Sequence, residues 1–342
     1  MNRNTNVMLK LCTVFLMETA GFFVSCQNEL NVPVETFAPH EHPLSFTATI
    51  GVSTRASVDN YFEEFDRIMI QNVDFYEGGM SPEWVNKVGR YSYSAGDIQL
   101  LLSSSYWFRS DECKLIRAWH YGNEQDEWRE YLPTASTPLQ VSVTQNERAD
   151  YIQSDFIYAR TTATYTTRAI PLSFYHQVAK VVVNVSSEGF APDAEITGID
   201  LEDVYVGGEF QEPALPDSPD TPVLGTWTTV GDKAQKIAMY KLETPNTADF
   251  ENNGSVETAK ASYAAIVIPQ VDDSPEKLIT IHANVDGTAR EFRYKPEKLD
   301  WKSGMTHTYN LTLRGPGLVV SFEEESLIWT DGNSGSGSVA LP

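Results

Sequence analysis

Apolar and polar residues alternate along most of the chain from Leu44 onward, as in β-strands that bury one face. The first such stretch, LSFTATI (44–50), puts Leu44, Phe46 and Ile50 on one face and its threonines on the other. Similar short stretches, rich in β-branched and aromatic residues, recur between turn residues, and no long stretch has a helical period. The pattern predicts an all-β protein built from β-sandwiches.

Several later stretches predict individual elements. QVAKVVVNVSS (177–187) has an apolar face and a mixed face, which fits one layer of a sandwich. ASYAAIVIPQ (261–270) predicts a buried strand, and KLITIHANVDGTAREFRYK (277–295) predicts a hairpin that turns at Asp286-Gly287. Gly207-Gly208 also predicts a turn. SVDNYFEEFDRI (57–68) fits either a short helix or a loop that leads into a strand.

The stretches divide into two blocks after a polar, proline-punctuated segment. We expect a flexible tether at 26–43, an N-terminal sandwich at 44–168 and a C-terminal sandwich at 169–342.

The first 25 residues have the pattern of a secretion signal. Arg3 and Lys10 precede an apolar run that is short for a bilayer span. Phe23–Cys26 resembles the bacterial lipoprotein box, and this resemblance implies that Cys26 is lipidated and becomes the mature N-terminus. A polar region follows, in which His40 and His42 lack a nearby third ligand, so no metal site is expected.

The charge balance excludes some partners. The chain of 342 residues has a formal net charge of -22. Loss of the signal removes two positive charges and one negative charge, so the mature body carries about -23. Such a surface repels nucleic acid and anionic lipid, which bind basic patches. Cys113 would be the one cysteine left after the signal is removed and Cys26 is lipidated, so no disulfide is expected.

Catalytic templates are not matched. H-E-x-x-H, G-x-S-x-G and C-x-x-C do not occur, and GNSGSGS lacks the lysine of a phosphate-binding loop. Cys113 is a candidate nucleophile with His120 as its base, and His176 is a separate candidate catalytic histidine. A structural role is favoured for each of them. Adjacent carboxylates such as Glu63-Glu64 would point to opposite faces of a strand. Solvated charges at a sheet edge are therefore favoured over a catalytic carboxylate pair. We expect no catalytic residues, no metal and no cofactor.

Tryptophans are frequent in the first block. They could stack on a sugar ring, but packed indoles are the favoured interpretation. The four are Trp84, Trp107, Trp119 and Trp128.

Several motifs together resemble the fimbrillin-like, type V pilus lipoproteins of Bacteroidales bacteria. The most specific are F-x-H-x-x-A-K at Phe174–Lys180 and W-x-S-G-x-x-x-x-Y at Trp301–Tyr309. STRAS, YAAIVIPQ and SLIWTDG occur in the matching order. Both specific motifs are framework: Trp301 and Tyr309 are expected to pack, and Ser303-Gly304 to turn the chain into the last strong strand.

The resemblance implies two tandem transthyretin-like sandwiches and a lipoprotein precursor on the outer membrane and cell surface. In the family, an arginine-specific protease removes the first strand, and the C-terminal segment of another fimbrial subunit fills the groove. The implied partners are other fimbrial subunits, the outer membrane through the lipid, and a host or bacterial surface ligand. Stalk, tip and anchor roles stay open, as does the alternative of a glycan-binding surface lipoprotein.

Carried onto this chain, the resemblance assigns a role to three regions. The removable first strand is 44–50, with Leu44, Phe46 and Ile50 in the groove. Arg55 is the candidate cleavage site and Arg168 its rival. The candidate donor residues are the apolar ones of GLVVSF and SLIWT: Leu318, Val320, Phe322, Leu327 and Trp329.

Overall fold

The structure is a computed structural model. It describes residues 33–38, 40–50, 62, 66–74, 88–94, 97–102, 105–122, 128–188, 194–215, 221–234, 236–250, 255–314, 317–320 and 325–328.

The regular secondary structure of the described residues is almost entirely β, which confirms the predicted all-β class. The strands of the first half are β1 (His42–Pro43), β2 (Phe46–Ile50), β3 (Arg67–Asp74), β4 (Val88–Ser94), β5 (Asp97–Leu102), β6 (Tyr106–Trp107), β7 (Cys113–Tyr121), β8 (Leu139–Gln140), β9 (Phe156–Thr164) and β10 (Ile170–His176). A short helix, α1 (Arg148–Gln153), precedes β9.

The second half continues with strands of similar length. They are β11 (Ala179–Glu188), β12 (Glu195–Leu201), β13 (Val204–Gln211), β14 (Thr226–Ala234), β15 (Ile237–Ala238), β16 (Tyr240–Lys241), β17 (Thr247–Asp249), β18 (Val256–Thr258), β19 (Ala261–Val267), β20 (Val271–Asp272), β21 (Ile279–Val285), β22 (Thr288–Tyr294), β23 (Leu299–Asp300), β24 (Met305–Arg314), β25 (Gly317–Val320) and β26 (Glu325–Ile328).

A seven-stranded sheet contains the first long strands, in the order β2-β10-β9-β7-β3-β4-β5. β2 pairs with β10 in parallel, and the other neighbours are antiparallel. The two edge strands, β2 and β5, approach each other to within 8 Å between Cα atoms, so the sheet curls around its own core. β10 belongs to this sheet, although the sequence assigned the residues after 168 to the C-terminal sandwich. The domain boundary between residues 168 and 169 stays a prediction.

Two further sheets enclose the second core. One has the order β16-β19-β11-β24, with β25 and β26 both paired to β24, and the other has the order β15-β12-β21-β22. Apolar residues of both sheets, such as Val183 and Ile281, belong to one buried cluster. A three-stranded sheet, β14-β13-β8, brings residues from the first half against the same core.

The hairpin predicted at Asp286-Gly287 is confirmed. β21 and β22 pair from Ile279↔Tyr294 to Val285↔Thr288, and both turn residues have positive φ, 52° and 73°. The buried strand predicted in 261–270 is β19, in which every residue is buried.

The turn predicted at Gly207-Gly208 is wrong. Both glycines lie inside β13, paired with Val230 and Thr229 of β14. A Cβ on Gly207 would lie 2.5 Å from the Val230 carbonyl oxygen, and one on Gly208 would lie 2.7 Å from the Trp227 ring. These glycines permit close approach of neighbouring atoms and do not make a turn.

The segment expected to be a flexible tether is partly docked on the body. β1 pairs with β6, Thr36 forms a bridge with Arg109, and the Phe37 amide donates to the Phe108 carbonyl oxygen at 2.8 Å. Val223, near the end of the proline-containing stretch 212–225, is buried in the second core.

Candidate functional site

The predicted removable strand lies at a sheet edge. β2 pairs with β10 from Phe46↔Ile170 to Ile50↔Phe174, and the Ile170 amide donates to the Ser45 carbonyl oxygen at 2.8 Å. On its other side β2 has no ladder partner among the described residues. An edge strand can leave without breaking the remainder of the ladder.

The side chains of this strand alternate as the sequence predicts. Phe46 is buried, Ala48 and Ile50 are half-buried against the same core, and the threonines between them are exposed. Leu44, just before β2, is also buried in this core. The Phe46 ring lies edge-on to Tyr91, with 5.6 Å between ring centroids. Removal of residues 44–50 therefore leaves an apolar groove beside the free edge of β10.

Polar groups lie near the same core, at Trp107 of β6, the strand that pairs with β1. Trp107 is 1% exposed, and its indole Nε1 has no hydrogen-bond partner among the described residues. The ammonium of Lys114, which is completely buried, lies 5.4 Å from the Trp107 ring centroid and 3.3 Å from the carboxylate of Glu112. That carboxylate also accepts a hydrogen bond from the Phe108 amide at 3.0 Å.

The candidate donor segment lies at another sheet edge. β25 and β26 pair antiparallel with successive halves of β24, so together they cover one edge of that strand. The register puts Leu318 opposite Leu313, Val320 opposite Leu311 and Leu327 opposite Thr306. Phe322 and Trp329 lie outside the described residues.

The framework motif near the C-terminus is confirmed. Trp301 and Tyr309 are both buried, and the Trp301 indole N–H donates to the Tyr309 hydroxyl at 3.1 Å. Gly304 turns the chain with φ of 65°, and the Ser303 hydroxyl donates to the Gly225 carbonyl oxygen at 2.6 Å.

The first half of the chain is held to the second by a carboxylate that the sequence did not single out. Glu212, which follows β13, forms an ion pair with Arg117 of β7 at 2.5 Å and accepts from the Tyr158 hydroxyl at 3.0 Å. Burial and the neighbouring Glu212 charge raise the pKa of Tyr158 above its ordinary value.

The candidate catalytic residues are not brought together. Cys113 and His120 lie seven positions apart on β7, so their side chains point to opposite faces. His120 Nδ1 lies 3.0 Å from the Arg67 carbonyl oxygen, and His176 Nδ1 lies 3.0 Å from the Asp155 carboxylate. Each histidine thus has a structural partner.

The histidine pair at 40 and 42 packs with aromatic rings. His40 lies edge-on to Tyr106, and His42 lies 4.1 Å from the Phe37 ring between centroids. Within the described ranges, no three His, Cys, Asp or Glu residues are grouped as metal ligands.

The described tryptophans of the first block do not form a sugar-stacking platform. Trp107 and Trp119 are buried core residues, and the Trp119 indole donates to the Arg129 carbonyl oxygen at 2.9 Å. Trp128 is half-buried, with the guanidinium carbons of Arg67 and Arg90 at 5.3 Å and 5.5 Å from its ring centroid. Trp84 lies outside the described residues.

The predicted signal and the predicted lipidation and cleavage sites lie on residues that the structure does not describe. Cys26, Arg55 and the carboxylates Glu63-Glu64 belong to this group, whereas Arg168 is described and exposed. Across the described ranges, no helix combines the length and apolar character needed to cross a membrane.

Comparison with known proteins identifies the family. A model of fimbrillin-like proteins matches residues 54–326, well over half of the chain. The chain therefore belongs to the fimbrillin-like family, whose members are fimbrial or cell-adhesion proteins, and this implies a location at the cell surface. A search of curated protein sequences gives no match.

Solved structures agree on the fold. A candidate cell adhesion protein from Bacteroides ovatus superposes with a TM-score of 0.54 at 16% identity, covering 85% of this chain and 99% of the other. A candidate cell adhesion protein from Bacteroides uniformis gives a TM-score of 0.52 at 15% identity, covering 86% and 100%. At such identities the similarity supports the architecture alone.

Proposed function

We propose that this chain is a fimbrial subunit that assembles by strand exchange and supports adhesion, with a structural, non-catalytic role. It would reach the outer membrane as a lipoprotein attached through Cys26. Proteolysis at Arg55 would then release the chain before Ala56, including β1 and β2. Partner subunits would insert a strand beside β10.

The observation that carries this proposal is the position of the two exchangeable segments. β2 and the β25–β26 segment both lie at sheet edges, each paired with one long strand. A strand that leaves an edge uncovers backbone donors and acceptors beside an apolar groove, and a donated strand satisfies both.

The groove offers enough apolar surface for a lasting contact. Leu44 and Phe46 are buried, and Ile50 is half-buried. Burial of each such side chain contributes on the order of 1.5–3 kcal/mol. A strand that refills all these pockets would therefore dissociate slowly.

Cleavage tests this function directly. The mature chain is treated with an arginine-specific protease, alongside Arg55→Ala and Arg168→Ala variants. Wild type and Arg168→Ala should lose the residues before Ala56 and form SDS-resistant multimers, and Arg55→Ala should stay intact and monomeric. Cut wild-type protein that remains monomeric, or Arg55→Ala that multimerises equally well, would contradict the proposal.

A further inference from the structure

We infer that residues 105–110 together with Tyr165 form a second binding site for the N-terminal segment, and that this site holds the leader on the body after the cut. The leader is the mature chain before Ala56, and we call its part at 33–38 and 40–44 the clasp segment. This inference rests on the proposed function, and it places one step, release of the clasp segment, between cleavage and strand exchange.

The clasp segment runs antiparallel to residues 105–110 and bonds to their backbone. The Phe37 amide donates to the Phe108 carbonyl oxygen at 2.8 Å, and the Ser110 amide donates to the Glu35 carbonyl oxygen at 3.0 Å. β1 continues this pairing along β6. An extended peptide that adds to a strand is held by backbone hydrogen bonds of this kind, so the contact does not require a continuous chain.

Aromatic rings fix the clasp segment on this site. The Phe37 ring lies 4.1 Å from the His42 ring and 4.8 Å from the Tyr165 ring, between centroids. Tyr165, in the connection between β9 and β10, lies edge-on to the buried Trp107 ring at 5.9 Å. Phe37 and Tyr165 both pack against the core of the seven-stranded sheet. The clasp segment therefore has an apolar contact with the body that is separate from the contacts of β2.

A buried ion pair holds the receiving residues in place from behind. The Glu112 carboxylate accepts from the Phe108 amide at 3.0 Å and lies 3.3 Å from the Lys114 ammonium. The Phe108 N–H thus bonds to the body, while the Phe108 carbonyl oxygen accepts from Phe37. Because Phe108, Glu112 and Lys114 all follow the cut in the chain, cleavage leaves the site intact.

The clasp site and the groove of β2 lie on different strands. β2 pairs with β10, and Phe46 packs against Tyr91, whereas the clasp segment pairs with residues 105–110. Both contacts belong to one continuous peptide, so while either holds, the other part of the leader stays at high local concentration and rebinds. A cut β2 therefore returns to β10 more often than a strand from solution enters, and the clasp segment slows assembly.

A reversible disulfide tests this role of the clasp segment. Thr36 and Arg109 form an antiparallel bridge flanked by two backbone hydrogen bonds, the pair geometry in which opposite side chains lie closest. The mature chain therefore carries Thr36→Cys and Arg109→Cys. Cys26→Ser, Cys113→Ser and Arg168→Ala are added to leave one disulfide and one candidate cleavage site.

Assembly of the cut chain is followed as SDS-resistant multimers, timed from the end of cleavage. We expect the oxidised chain to assemble at least tenfold more slowly than the same chain after reduction, because the disulfide keeps the clasp segment in place. Equal rates overturn the inference while leaving strand exchange intact. Absence of multimers in both states and in the cysteine-free parent contradicts the proposed function and the inference with it.

Single substitutions should have the opposite effect. Phe37→Ala removes the ring that joins the clasp segment to Tyr165, so it should raise the assembly rate of cut chains at least tenfold. Val34→Ala is the matched control, since Val34 is 49% exposed, and it should leave the rate unchanged. Equal rates for the two variants would overturn the inference.

The position of the leader gives a second readout on the same samples. In native size-exclusion chromatography, the leader should elute with the cut wild-type monomer and separate from the multimers. A leader that leaves the monomer as soon as the chain is cut would show that the clasp segment does not hold it.

Discussion

The side-chain amide of Gln145 forms with the backbone of Ile266 the two hydrogen bonds that a neighbouring strand would otherwise form. Gln145 Nε2 donates to the Ile266 carbonyl oxygen at 2.7 Å, and the Ile266 amide donates to Gln145 Oε1 at 2.8 Å. Gln145 is completely buried. One side chain from the first half of the chain thus covers the edge of β19 where β16 ends.

Gln145→Ala should destabilise the protein strongly, because it leaves two buried backbone groups without partners. We expect a loss of about 2–5 kcal/mol in the free energy of unfolding, measured by urea denaturation. Gln211→Ala is the matched control, since Gln211 is exposed on β13. Similar losses of unfolding free energy for both variants would show that the hydrogen bonds to Ile266 are not the cause of the loss.

Gly207→Ala and Gly198→Ala should differ although both glycines lie at register shifts in strands. A Cβ on Gly207 meets the Val230 carbonyl oxygen at 2.5 Å, whereas one on Gly198 meets only a His282 ring carbon at 3.8 Å. We expect Gly207→Ala to cost about 1–3 kcal/mol of stability and Gly198→Ala to be nearly neutral, as measured by thermal unfolding. Equal stability of the two variants would contradict the close approach at Gly207.

Tyr158 should make the fold sensitive to alkali. Its pKa is raised by burial first and by Glu212 second, so the folded state favours the neutral phenol. Stability is therefore unaffected by this group below pH about 10 and falls above it, by up to about 1.4 kcal/mol per pH unit.

Tyr158→Phe checks this dependence. The variant should be about 1 kcal/mol less stable at pH 7, because the hydrogen bond to Glu212 is lost. That deficit should shrink as the pH rises above about 10, in urea titrations at successive pH values. A deficit that stays constant to pH 11 would refute the argument, and Tyr131→Phe, at a half-exposed site, controls for general effects of alkali.

Phe46→Ala should weaken the uncut chain and leave the assembled one unchanged. Truncation of this buried ring is expected to cost the precursor about 3–5 kcal/mol. After cleavage the residue is gone, so the yield of multimers should match that of wild type. Thr47→Ala, on the exposed face of β2, should alter neither state. Reduced multimer yield from cut Phe46→Ala would imply that β2 remains in the assembly.

Local patterns predicted much of the fold. Alternation identified β2 and its buried Phe46, and the Asp286-Gly287 pair identified the hairpin, since both signals lie within a few consecutive residues. The W-x-S-G motif likewise predicted the Trp301–Tyr309 contact.

Features that depend on distant partners were not predictable in the same way. Gly207 is a turn residue by composition, and only the approach of β14 explains it as a strand residue. Gln145 reaches the edge of β19 more than a hundred positions away, and the docking of Phe37 on Phe108 has no periodic signal. The parallel pairing of β2 with β10 is also set by tertiary packing.

The central claim is that β2 is a replaceable strand of a fimbrial subunit, and the mature N-terminus of the surface protein tests it most directly. Polymeric and monomeric fractions from the cell surface are separated, and their N-terminal peptides are identified by mass spectrometry. The account predicts Ala56 as the first residue of the polymeric chains and lipidated Cys26 as that of uncut chains. Polymers whose chains all retain residues 44–50 would contradict it.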